Sequence, residues 1–82
     1  MARETQRFWL TFDGESNRKP LICEMARKFD LVFNIRNASV TPVIGLIALE
    51  LEGERPVIQQ AIAWFESNGV QVEPVEINTI EG

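Results

Sequence analysis

The sequence predicts an α+β sandwich: a four-stranded antiparallel sheet with two helices on one of its faces. Two observations predict it. Alternating strand patterns and helical stripes follow one another in the order β-α-β-β-α-β along 82 residues, with no linker between them. A helical stripe also recurs: Pro20-Leu21-Ile22 with Met25, Ala26 and Phe29 returns as Pro56-Val57-Ile58 with Ala61, Ile62 and Phe65. Each copy follows a strand, which makes two βαβ halves of a split motif. The right-handed crossover rule then puts both helices on the same side of the sheet. The expected fold is the ferredoxin-like two-layer sandwich. It forms one domain over 1–82, with a core over about 6–73 and a C-terminal extension over 74–82.

Each element has its own reason. In residues 6–12, Phe8, Leu10 and Phe12 fall on one strand face while Trp9 and Thr11 fall on the other. Asp13-Gly14-Glu15-Ser16-Asn17 is turn and cap chemistry, and Pro20 is tolerated in a helix's first turn. Leu21, Ile22, Met25, Ala26 and Phe29 make one helical face, with Arg27 and Lys28 where the dipole favours positive charge. Asp30 ends that helix. Residues 31–39 return to strand, with Phe33 and Ile35 opposite Asn34 and Arg36. A turn over Ser39 to Pro42 and a strand from Val43 to Leu51 complete a hairpin. Gly53-Glu54-Arg55 opens the second helix, Trp64 extends its stripe, and Asn68-Gly69 ends it as a C′ glycine does. A last strand starts at Val70 and stops near Pro74.

Two helices cover one sheet face only. Phe8, Leu10, Phe12, Phe33, Ile35, Ile47, Leu49 and Leu51 supply it, leaving Trp9, Thr11, Asn34, Arg36, Leu46, Ala48 and Glu50 on the other. An open antiparallel face is ordinarily wet. This one carries a tryptophan and a leucine. Burying the Trp9 ring against a second copy removes roughly 150–250 Å² from water, several kcal/mol before association costs. A homodimer through Trp9, Thr11, Asn34, Leu46 and Ala48 is therefore expected.

Composition bounds the chemistry. The chain has no histidine, which excludes Ser-His-Asp and Cys-His catalysis and imidazole metal ligation. One cysteine, Cys23, allows no internal disulfide and no cysteine-only metal site, and it is expected as a half-buried structural thiol. No metal and no cofactor are expected. The formal charge of −4 divides into +2 over residues 1–49 and −6 over 50–82, so no basic patch forms and nucleic-acid binding is not expected. No apolar run is long enough for membrane insertion, and a free thiol behind a polar N-terminus fits the cytoplasm. Glu50 and Glu52, with Glu54 just beyond, read as a solvated strand end. With no nucleophile–base pair, the chain is not expected to be an enzyme.

Five stretches together resemble the NIL domain, the ferredoxin-like module of methionine ABC transporter ATPase subunits. They are Leu10 to Ser16, Leu21 to Phe29, Phe33-Asn34-Ile35-Arg36, Pro42 to Leu51, and Ala61-Ile62-Ala63-Trp64-Phe65 running into Asn68 to Glu73. The resemblance implies pairing through the open sheet face and methionine bound there as an inhibitory effector. It also puts the asparagine of the family's Asn-Ile-Leu motif at the ligand. Asn34 and Ile35 match that motif, while Arg36 stands where leucine is usual. Asn34 faces the open surface beside Trp9, and its amide both donates and accepts, as an amino acid's two charged groups require. Arg36 either clamps a carboxylate in bidentate fashion or rejects an apolar side chain. Without a phosphate-binding glycine loop in this sequence, control of a transporter is expected in trans. Val75, Ile77 and Ile80 are candidates to dock on the partner chain.

Two function classes stay open. One is a non-enzymatic regulatory homodimer that senses an amino acid such as methionine at Asn34, Arg36 and Trp9. The alternative is a protein-interaction adaptor with no small ligand, acting on a partner protein.

Overall fold

The computed structural model describes residues 3–75. Its elements are β1 (Arg3–Asp13), α1 (Glu15–Arg18), α2 (Leu21–Lys28), β2 (Val32–Val40), β3 (Ile44–Glu54), α3 (Arg55–Ser67) and β4 (Gln71–Pro74). All strand pairs are antiparallel, in the order β2-β3-β1-β4. This is the strand order of the ferredoxin-like split motif, so the α+β expectation holds.

The core lies between the sheet and the helices. Phe8, Leu10 and Phe12 of β1 and Leu49 and Leu51 of β3 share one face by alternation. They pack with Leu21 and Met25 of α2 and with Ile58, Ala61 and Phe65 of α3. Each large side chain fully withdrawn from water contributes about 1.5–3 kcal/mol. Phe65 sits edge-on to Phe12, with ring centroids 6.2 Å apart, and Trp64 bridges Phe65 to Phe29 in the same geometry. The C-terminus of α3 closes as the sequence predicts. Gly69 takes φ 85°, its N–H bonds the Glu66 carbonyl, and the Val70 N–H bonds the Phe65 carbonyl. Those two bonds form a Schellman motif, and buried Val70 and Phe65 provide its apolar contact.

The structure departs from expectation at four places. The stretch expected as turn and cap holds a short helix, α1, which stops at Arg18 because the residue before a proline is pushed out of helical geometry: Lys19 has ψ 144°, and Pro20 is the N-cap of α2, not a residue of its first turn. The strand expected to end at Leu51 runs on through Gly53 and Glu54. The cause is that β1 starts early enough to pair them, with Glu4 and Arg3. Ile35, assigned to the core, is 49% exposed, because β2 is an edge strand and the eight residues of α2 leave its far side uncovered. The hairpin turn lies at Thr41–Val43, where the Thr41 hydroxyl accepts from the Val43 and Ile44 N–H groups. Of the C-terminal extension, Val75 donates its N–H to the Arg7 carbonyl at 3.0 Å. The docking expected of Ile77 and Ile80 lies outside the described residues.

Candidate functional site

The uncovered face of the sheet is built in rungs, because residues paired across antiparallel strands project to the same side. From one end to the other, the rungs are Val32–Glu52–Thr5, Asn34–Glu50–Arg7, Asn37–Ala48–Trp9–Glu73 and Ser39–Leu46–Thr11–Gln71. Trp9, Thr11, Asn34, Leu46, Ala48 and Glu50, all expected on the open face, are on it, but their neighbours differ. Asn34 is not beside Trp9. It stands across from Glu50, and the rung of Trp9 contains Asn37 instead.

A β-bulge decides which residue joins the rung of Trp9: unbroken register past Ile35 would bring Arg36 there. The register between β2 and β3 shifts between Ile35 and Asn37, so Arg36 is the extra residue. Bulges reorient the side chains beside them, and the Arg36 guanidinium reaches the open face: its Nη1 lies 3.9 Å from Glu50 Oε1. Arg7 approaches the same carboxylate from the other flank, its Nε donating to Glu50 Oε2 at 3.0 Å. Glu50 thus stands between two arginines in a central strand. Its side chain is 18% exposed, against 39% for Arg7 and 50% for Arg36. The expectation of a solvated strand end at Glu50 is incorrect, because β3 continues past it and both flanking strands supply cations. A charged group in a central strand is costly unless paired, and that cost was the sequence signal pointing to Glu50.

Apolar surface borders this polar rung. Trp9 is half-buried among its own sheet neighbours, Leu46 is 41% exposed, and Ala48 is covered between the larger Trp9 and Asn37. A shallow depression of about 400 Å³ adjoins Arg7 and Glu50 and is walled further by Thr5, Gln6, Pro74 and Val75. That volume falls in the range of small-molecule sites. A second concavity, of about 200 Å³, opens on the helix side between Phe12, Leu21, Ile22, Val40 and Ile47. Cys23 lies at its rim. The thiol is exposed, against the half-buried position expected, because it projects from α2 beyond the stripe of Leu21 and Met25.

Among the described residues, no group of three or more His, Cys, Asp or Glu side chains is placed to hold a metal ion. No helix among them is long and apolar enough to cross a membrane. What the Asn34 rung and the adjoining bulge offer chemically is an amide, one carboxylate and two guanidinium groups beside an apolar border.

Comparison with known proteins gives a consistent picture. The family model described as the NIL domain matches residues 6–74. The chain is 40% identical over 67 residues to the methionine import ATP-binding protein MetN 2 of Acinetobacter baylyi, spanning 77% of this chain and 20% of that protein. It is 35% identical over 68 residues to the methionine import ATP-binding protein MetN of Escherichia coli K12, spanning 78% and 20%. The chain thus spans about a fifth of the length of these curated relatives. Among solved structures, the C-terminal domain of an ABC transporter ATP-binding protein from Enterococcus faecalis superposes with a TM-score of 0.78 at 22% identity. That match covers 85% of this chain and 82% of the other.

Proposed function

We propose, on the premise that this chain belongs to the NIL domain family, that it is a non-enzymatic regulatory domain that senses an amino acid on its open sheet face. The observation that carries this proposal is the polar rung of Asn34, Glu50 and Arg7, joined by Arg36 and bordered by Trp9, Leu46 and Ala48. An α-amino acid needs an acceptor for its ammonium, donors for its carboxylate and an apolar place for its side chain, and this rung supplies all three. The relatives are named for methionine import, so methionine is the first ligand to test. The single-domain organisation over 1–82, a cytoplasmic setting and a protein partner among transporter ATPases belong to the same proposal.

The face also pairs two copies. Exposed large hydrophobic residues among those described are Val32, Ile35, Val40, Val43, Ile44 and Leu46, all in the β2–β3 hairpin. Apolar exposure concentrated in one element marks a macromolecular contact. A homodimer through Trp9, Thr11, Asn34, Leu46 and Ala48 covers Leu46 of that set. A heterologous protein at the same hairpin is the adaptor reading, and sedimentation at micromolar concentration separates the two: a monomer contradicts the homodimer.

Thermal unfolding in the presence of each proteinogenic amino acid tests the ligand. A ligand bound to the folded state alone stabilises by about 2.7 kcal/mol at one hundred times its dissociation constant. The expected result is a concentration-dependent rise in Tm with L-methionine that Asn34→Ala removes while the unliganded Tm is kept. No shift with any amino acid at millimolar concentration contradicts ligand sensing.

A further inference from the structure

We propose that Glu50 is the receptor for the ligand's ammonium group and works with Arg36 as a clamp for a zwitterion, so that the face selects free α-amino acids over other carboxylates. This assignment rests on the proposed amino-acid site and names the ligand class that site accepts. Glu50 lies mid-strand in β3, directly across from Asn34 on one side and Arg7 on the other. Its two oxygens are used unequally. Oε2 accepts from Arg7 Nε at 3.0 Å, while Oε1 faces Arg36 Nη1 at 3.9 Å. The second distance is attraction without a hydrogen bond, since a charge-assisted N–H···O bond closes to about 2.7–2.9 Å.

The site therefore keeps one unspent acceptor, Oε1, and one unspent fork, the Arg36 guanidinium, side by side. An α-amino acid carries the matching pair of groups on a single carbon. Its ammonium donates to Oε1 and to the carbonyl of the Asn34 amide, and its carboxylate accepts two N–H bonds from Arg36. The apolar border of Trp9, Leu46 and Ala48 takes the side chain. Arg7 holds the carboxylate of Glu50 in place from behind. An acid with a hydroxyl in place of the ammonium gains the Arg36 bonds and can still donate to Glu50, but it forfeits the attraction between the ammonium and carboxylate charges.

Calorimetric titration of the full chain tests this with L-methionine and its α-hydroxy counterpart, 2-hydroxy-4-(methylthio)butanoate. The wild-type chain is expected to favour methionine by about tenfold or more, the worth of the ammonium–carboxylate attraction at a partly buried site. Glu50→Gln is expected to bring the two affinities to within about threefold of each other, and Arg36→Gln to weaken both alike. Two results overturn the assignment while leaving the amino-acid site standing: equal wild-type affinity for the two compounds, or an undiminished preference in Glu50→Gln. The wild-type ratio decides even if the variant does not fold. Failure of the wild-type chain to bind methionine or any other free amino acid overturns the site and this assignment together.

Discussion

Leu49 and Glu50 are neighbours in β3, yet they belong to two different surfaces. Leu49 is fully buried under the helices, as a member of the apolar core cluster. Glu50 emerges on the opposite side, held between Arg7 and Arg36. One face of the sheet is closed by the helices packed on it, and the other carries the Arg7–Glu50–Arg36 charges beside half-buried Trp9. The covered face carries the stability of the domain and the open face its chemistry, so substitutions on the two should separate cleanly.

The largest effect is expected on the covered face. Leu49→Ala leaves a cavity in the apolar cluster and should cost about 2–5 kcal/mol in denaturant unfolding. Leu46→Ala, three positions earlier but on the open face and 41% exposed, should cost about 0.5 kcal/mol or less. Equal costs would mean that the open face is packed within the single chain, and the division between the faces would fail.

A smaller effect is expected at the sheet's end, where Glu4 accepts from Arg55 Nη2 at 3.2 Å. The Arg55 guanidinium, and secondarily the Gln6 amide, hold the Glu4 carboxyl below the usual carboxylate range. A depressed folded value means the pair stabilises fully above the unfolded carboxylate value and loses that contribution as pH falls through the folded one. Arg55→Gln should therefore lower Tm slightly at neutral pH, with the difference closing in acid and in high salt, because the pair is exposed. A difference that persists at low pH would assign Arg55 a packing role instead.

Local periodicity accounts for what was legible in the sequence. Alternation sorted Phe8, Leu10 and Phe12 from Trp9 and Thr11, and the repeated helical stripe gave both layers. Features that depend on distant partners were not legible. The bulge at Ile35/Asn37 exists only relative to β3, and it places Asn37, where unbroken register would put Arg36, in the rung of Trp9. Glu50 looked like a strand end because its partner Arg7 lies in the first strand, far away in the chain. The break before α2 was signalled by Pro20, whose effect falls on Lys19, the residue preceding it.

The most direct test of the central claim is a map of backbone amide chemical shifts of the full chain titrated with L-methionine. The account predicts perturbations concentrated at Asn34, Arg36, Glu50 and Arg7, with the indole of Trp9 following and Met25, Ile58 and Phe65 unmoved. Perturbations concentrated instead at Ile22, Cys23 and Val40, around the helix-side concavity, would contradict it.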